Sequence, residues 1–269
     1  MNGPDRVTVV LGAARGIGAA TARACAARGD AVVLADRGAD DPRVPYALAT
    51  SADLDAAVAS ARAAAGDPSL ITGVAVDATD ESAVGVVLED AAARHGGLDA
   101  VVVTAGVVAG GVPLWEMPAA ELRAVLDVDL GAAVAAARAG IPIMLRRPAP
   151  RAGRFVVVAS TAASRGLPML AAYCAAKAGV VGLVRALAAE LRGTGVTANA
   201  VSPGSTDTPI LAESARLYSL PAAETFAAQQ PIERLIQPAE VAAVLAWLAG
   251  PDSGAVTGAD HVIDGGLSV

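Results

Sequence analysis

Short apolar runs alternate along this chain with longer alanine-rich stretches. Runs at residues 7–11, 31–36, 73–77, 100–104, 155–160, 197–201 and 261–264 have strand length. The first six are almost continuous in apolar side chains, the pattern of strands covered on both faces by helices in a parallel sheet. Helical patterns fill the intervals at 17–28, 53–64, 81–95, 119–145, 173–192 and 238–249. "TSAD", residues 50–53, has the form of a capping box opening the second helix, with Asp where Glu or Gln is usual. This alternation predicts an α/β fold: a Rossmann-type doubly wound parallel sheet of about seven strands with helices on both faces. No repeat and no linker divides the chain, so residues 1–269 are expected to form one domain.

Two segments exceed that alternation. From Asp36 to Asp77 the chain runs 41 residues, where a β–α–β step takes about 30. The surplus within residues 37–70 is rich in Asp and Pro and carries Val44, Tyr46 and Leu48. It is either a tolerated surface loop or a cover over a bound nucleotide. Residues 205–237 hold Pro209, Pro221 and Pro231 and few strand signals. They follow the sixth strand, where a substrate lid would sit.

Composition narrows the function classes. A net charge of −7, with acidic and basic residues scattered, argues against nucleic acid as a partner. Mean hydropathy is high at +0.52. The longest stretch without charge, residues 100–115, is broken by Gly and Pro and is too short for a membrane span. No basic segment followed by an apolar one signals secretion, so a cytoplasmic location is expected. Cys25 and Cys174 suggest no disulfide framework, and no metal site is expected.

"LGAARGIG", residues 11–18, places Gly12, Gly16 and Gly18 between a strand and a helix. Backbone N–H groups at such a helix start can hold a pyrophosphate, and missing Cβ atoms let it approach. The spacing is GxxxGxG rather than GxGxxG. Asp36 ends the second strand, where a carboxylate accepts both ribose hydroxyls and repels a 2′-phosphate. Arg15 and Arg37 could pair with that phosphate, but Asp36 should dominate, so NAD is expected over NADP. Asp77, ending the third strand, either meets the adenine or caps a turn. Further on, Tyr173 and Lys177 stand at i and i+4 and share a helix face. An ammonium beside a phenol stabilises phenolate, giving an acid/base for neutral pH. Ser160 closes the fifth strand, at the edge where ligands bind in open α/β sheets.

The glycine loop, Asp36, "TAG" at 104–106, Ser160, Tyr173 with Lys177, "NAVSPG" at 199–204 and "DGG" at 264–266 together resemble the classical short-chain dehydrogenase/reductase family over essentially the whole chain. The resemblance implies an NAD-dependent alcohol dehydrogenase or reductase. In it Tyr173 exchanges the hydroxyl proton, Lys177 binds the nicotinamide ribose and lowers the Tyr173 pKa, and Ser160 orients the substrate oxygen. Implied cofactor contacts are Gly12, Arg15, Gly16, Ile17, Gly18, Asp36, Arg37, Asp77, Ala78, Ala105, Gly106, Tyr173, Lys177, Pro203, Gly204, Thr206 and Thr208. Two positions depart from the family. Val103 and Thr104 stand for its paired asparagines, and Asp129 for the helix asparagine of its catalytic tetrad. Asp129 is either a catalytic carboxylate or an acid turned to a polar partner. If ionised near Lys177, it would partly offset the effect of that lysine on Tyr173.

The insertion, with "ALATSADLD", "GGVPLWEMP" and "PGSTDTPILAESARLYSL", further resembles the mycofactocin-associated branch of the family. That resemblance implies NAD buried so that it does not exchange freely, and reoxidation by mycofactocin, a redox peptide cofactor. The family also implies a homotetramer through the helices at 119–145 and 173–192 and the C-terminal segment. Trp115, Met169, Leu211, Leu217 and Tyr218, with Leu220 and Phe226, are expected to line an apolar substrate pocket. With no Arg or Lys evident at the reacting end, a hydrophobic secondary alcohol or ketone is favoured over a carboxylated or phosphorylated substrate. Two competing readings are an ordinary dehydrogenase or ketoreductase with exchangeable NAD(H), and a catalytically silent NAD-binding sensor. The Ser–Tyr–Lys set argues against the sensor.

Overall fold

A computed structural model describes residues 6–269; the first five residues of the expected domain lie outside it. Seven parallel strands form one sheet in the order β3-β2-β1-β4-β5-β6-β7. They are β1 (Val7–Leu11), β2 (Ala31–Asp36), β3 (Ile71–Ala75), β4 (Ala100–Val103), β5 (Arg154–Val158), β6 (Thr197–Pro203) and β7 (Asp260–Ile263). Helices α1 (Gly16–Arg28), α2 (Ser51–Ala64) and α8 (Pro238–Ala249) cover one face; α3 (Glu81–His95), α5 (Ala132–Leu145) and α6 (Ala171–Glu190) cover the other. Side chains alternate along each strand, so the valines feed two cores. Val9, Leu11, Val101 and Val103 join the first, while Val10, Leu34, Val102 and Val156 join the second. The strand order reverses between β1 and β4, which opens a crevice at their carboxyl ends.

The capping box is present. The Thr50 hydroxyl accepts from Asp53 N, and the Asp53 carboxylate accepts from Thr50 N at 2.7 Å. Several expectations change. The third strand begins at Ile71 rather than 73, because Ile71 is buried opposite Val32, and it ends at Ala75, leaving Val76 and Asp77 beyond it. As an edge strand it is partly open to solvent, not covered on both faces. The expected 119–145 helix is α4 (Ala119–Leu126) and α5 joined by a widened π turn, Asp127–Gly131. The lid contains a helix the alternation did not show, α7 (Pro209–Leu217), capped by Thr208. By length and composition the 119–145 and 171–190 helices could cross a membrane, which the search for uncharged stretches missed. Both instead pack within this fold, α5 on α3 and α6 on β6.

Candidate active site

The loop after β1 folds over the end of β2, with Gly12 N and Ala13 N donating to Ala35 O at 2.8 and 3.1 Å. Gly12 has φ +85°, and a Cβ there would stand 2.4 Å from Ala105 N. Only glycine allows the loop to lie this close to the end of β4. Across the crevice, a Cβ on Gly16 would meet Thr208 Cγ2 at 3.2 Å, so glycine keeps the gap between α1 and the β6 loop open. A phosphate group fits such a cradle at a helix start. Asp36 accepts from Ala14 N at 3.0 Å and Gly38 N at 3.2 Å, which fixes its carboxylate at the rim of the crevice. Arg37 pairs with Asp41 at 2.9 Å and lies 3.7 Å from Asp77. Asp77 also accepts from the backbone and hydroxyl of Thr79, at 2.9 and 2.7 Å, and so closes a turn while facing the crevice. Among the described residues, Arg15 reaches only Ala47 O, at 3.5 Å.

These groups line one cavity of about 670 Å³. It brings together every residue expected to touch a cofactor, from Gly12 to Thr208, with Ser160, Leu211, Tyr218, Leu220 and Phe226. Ser160 follows β5, and its Oγ accepts from Ala162 N at 3.1 Å. One turn apart on α6, Lys177 Nζ lies 5.6 Å from the centre of the Tyr173 ring. The ammonium donates to Val158 O at 3.1 Å and pairs with Asp129 at 2.9 Å.

Asp129 does not line the cavity; it stands behind Lys177, buried in the π turn, and its other oxygen accepts from Val107 N at 3.3 Å. A Cβ on Gly106 would come within 2.9 Å of Asp129 Oδ1 and 3.5 Å of Lys177 Nζ, so this glycine makes room for the pair. Burial opposes the Lys177 ammonium, yet Asp129 and Tyr173 outweigh it and hold its pKa above the ordinary lysine value. Burial likewise pushes the Asp129 carboxyl up, against the pull of Lys177. The sequence reading had Lys177 lowering the Tyr173 pKa. Lys177 does pull the phenol down, but burial pushes it above its usual value and Asp129 adds to that push.

The insertion packs over this site. Val44 is buried in one apolar cluster with Val107, Ala124, Val125 and Ala172. The Tyr46 hydroxyl accepts from Val108 N at 2.9 Å, and Tyr46 and Leu48 line the cavity. Burial pushes the Tyr46 phenol well above the tyrosine range. Arg43 bridges Asp41, at 2.7 Å, to Asp127 of the π turn, at 2.6 Å. The Arg43 and Arg37 guanidinium groups hold the Asp41 carboxyl far below the usual carboxylate range, against its burial.

On the substrate side three expected residues lie outside the cavity wall. Trp115 is 84% exposed on a short 3-10 turn, Met169 is 47% exposed, and Leu217 packs against Gly111 instead. A large apolar side chain near a site motif was a weak guide, because nothing in a sequence fixes which way a loop residue turns. The loop between Ser160 and Tyr173 was missed as a wall: Thr161, Arg165, Leu167 and Pro168 all line the cavity. Its place between two catalytic candidates was the available signal. Arg165 adds a cation to the cavity wall that the sequence reading did not consider.

The chain matches the family described as enoyl-(acyl carrier protein) reductase over residues 12–268. It is 40% identical over 268 residues to cis-4-hydroxycyclohexanecarboxylate dehydrogenase of Sinomonas cyclohexanicum, covering 98% of this chain and 97% of that one. It is 32% identical over 263 residues to 2-dehydro-3-deoxy-L-rhamnonate dehydrogenase (NAD(+)) of Sphingomonas sp. (strain SKA58), covering 97% and 94%. Carveol dehydrogenase from Mycobacterium avium, crystallised in complex with NAD, has the same fold with a TM-score of 0.88 at 25% identity, covering 99% of both chains.

Proposed function

The chain belongs to the short-chain dehydrogenase/reductase family, and from that premise we propose that it is an NAD(H)-dependent oxidoreductase interconverting a hydrophobic, cyclic secondary alcohol and its ketone. The observation that carries this is the convergence of Ser160, Tyr173 and Lys177 on the cavity that also holds the glycine loop and Asp36. NAD bound there supplies the hydride acceptor or donor. Gly12, Gly16 and Gly18 hold its phosphates, Asp36 its adenine-side ribose, and Lys177 the other ribose. Ser160 Oγ and Tyr173 Oη position the substrate oxygen. In oxidation Tyr173 takes the hydroxyl proton, helped by the Lys177 charge; in reduction it returns that proton. The likeness to a cis-4-hydroxycyclohexanecarboxylate dehydrogenase and to a carveol dehydrogenase supports a ring alcohol.

The insertion supports a finer reading in which NAD is tightly retained beneath Tyr46 and Leu48 and reoxidised in place by mycofactocin. We place the enzyme in the cytoplasm as a homotetramer, with the small, exposed residues Ala175, Ala178, Gly182 and Ala186 of α6 allowing close helix approach. Purified protein is denatured and the released nucleotide identified by absorbance and mass, then turnover of cyclic secondary alcohols is followed with added NAD and with a dye acceptor. Stoichiometric NAD and dye-linked turnover without added NAD are expected. Efficient cycling with free NAD replaces retention by the ordinary exchangeable dehydrogenase. Tyr173→Phe should retain NAD and lose about 10²–10⁴-fold in rate; normal turnover would remove Tyr173 from the chemistry. Light scattering giving a monomer mass would remove the tetramer.

A further inference from the structure

Charge along the cavity wall is unevenly spent. Arg37 is paired with Asp41, and Lys177 with Asp129. Among the described residues, two cations of the wall have no acidic partner within 4.0 Å: Arg15 beside the glycine loop and Arg165 at the opposite, substrate end. Around Arg165 the wall is otherwise uncharged: Leu167, Pro168, Leu211, Tyr218 and Phe226 are apolar or aromatic, and Gln229 is neutral.

The backbone carrying Arg165 is fixed rather than free. Arg165 N donates to Thr161 O at 2.9 Å, in the turn that begins at Ser160. Its carbonyl accepts from Cys174 Sγ at 3.6 Å, next to Tyr173 on α6, and Leu167 N donates back to that sulfur at 3.5 Å. Tyr218 of the lid closes the loop by donating to Pro168 O at 2.7 Å. Arg165 is therefore anchored to the elements that carry both reacting side chains. The side chain is exposed to solvent at the cavity wall, where one guanidinium N–H donates to Leu267 O, also a wall residue, and the group has further donors to offer. A planar fork of donors in an apolar wall is suited to a carboxylate, which it can hold through paired, charge-assisted bonds.

We propose that Arg165 is a specificity-determining residue that binds a carboxylate on the substrate, remote from the carbinol carbon that Tyr173 and Ser160 address. This rests on the alcohol dehydrogenase reading above and narrows its substrate to a hydroxy acid or oxo acid whose body is apolar. The uncharged wall between the two polar points fits the hydrocarbon between the two functional groups.

The test compares a cyclic hydroxy acid with its own methyl ester, which keeps size and reacting group and removes the charge. The wild-type enzyme should favour the acid over the ester in kcat/KM by about 2- to 5-fold, the range of one solvent-exposed charge pair. In Arg165→Leu the ratio should collapse toward one, through KM of the acid rather than kcat. Arg165→Lys should restore part of it, and Arg165→Glu should invert it. An ester turned over as well as the acid by the wild-type enzyme would overturn the proposal while leaving the dehydrogenase reading intact. So would a ratio that survives Arg165→Leu. If neither compound, nor any uncharged cyclic alcohol, reduces the bound nucleotide, the dehydrogenase reading itself fails. Thermal unfolding of each variant, and its nucleotide content, separate a folding defect from a loss of recognition.

Discussion

Replacing Asp129 by Asn removes one buried charge and keeps an acceptor for Val107 N. The pair it breaks spans 2.9 Å, and the Lys177 ammonium lies 5.6 Å from the Tyr173 ring centre. At an effective dielectric constant near 20, the ammonium alone favours phenolate by about 3 kcal/mol. The Asp129 oxygen can lie no more than about 8.5 Å from the same centre, since Nζ stands between them at those two distances. Its charge opposes phenolate in turn, by about 2 kcal/mol at that separation. In alcohol oxidation the phenolate is the working base, so activity rises with pH through the Tyr173 pKa. Asp129→Asn lowers that pKa, and the acid limb of kcat/KM against pH should move to lower pH. The unpaired ammonium should also cost about 3–5 kcal/mol of stability, read as a lower Tm. A limb that stays in place, or moves up, in folded protein would refute the reasoning.

Two further perturbations probe the cofactor half of the cavity. Asp36→Ala removes the acceptor of Ala14 N and Gly38 N, and titration of stripped protein should show discrimination against NADP relaxed; unchanged discrimination would move the determinant to Arg15. Replacing residues 39–48 by a short glycine turn, with the Thr50 cap retained, removes Val44, Tyr46 and Leu48. About 100 Å² of apolar cover is worth about 2.5 kcal/mol, so nucleotide should be lost on dialysis at least tenfold faster; equal retention in both forms would make the insertion a surface loop only.

Much of this was legible in the sequence. The strands were, because parallel strands bury both faces and leave unbroken runs of Val and Leu. The glycine loop, Asp36, Ser160, Tyr173 and Lys177 were, because each sits at a strand end or a helix turn that local sequence marks. The contact between Asp129 and Lys177 was suspected only from the resemblance. Periodicity does not reveal a π turn, since one surplus residue within DVDLG leaves no trace between two helical stretches. Helix α7 was signalled by Thr208 and Pro209 at its cap and first turn, but its prolines were read as loop. Arg165 went unremarked because an arginine in a polar loop is ordinary until its backbone is seen tied to α6.

The surplus residue of the π turn also bears on what this chain can lose or gain over evolution. Each residue advances an α-helix by about 100°, so deleting one position from Asp127–Gly131 would rotate all of α5 by about that angle. Ala133, Ala136, Ala137 and Met144, now in the core beneath the sheet, would swing toward solvent. Deletion at Val128 would also turn Asp129, which holds Lys177, relative to Asp127, which anchors Arg43. Cover, acid/base pair and core share a single phase, so the length of this helix is far less free to drift than its outward-facing residues.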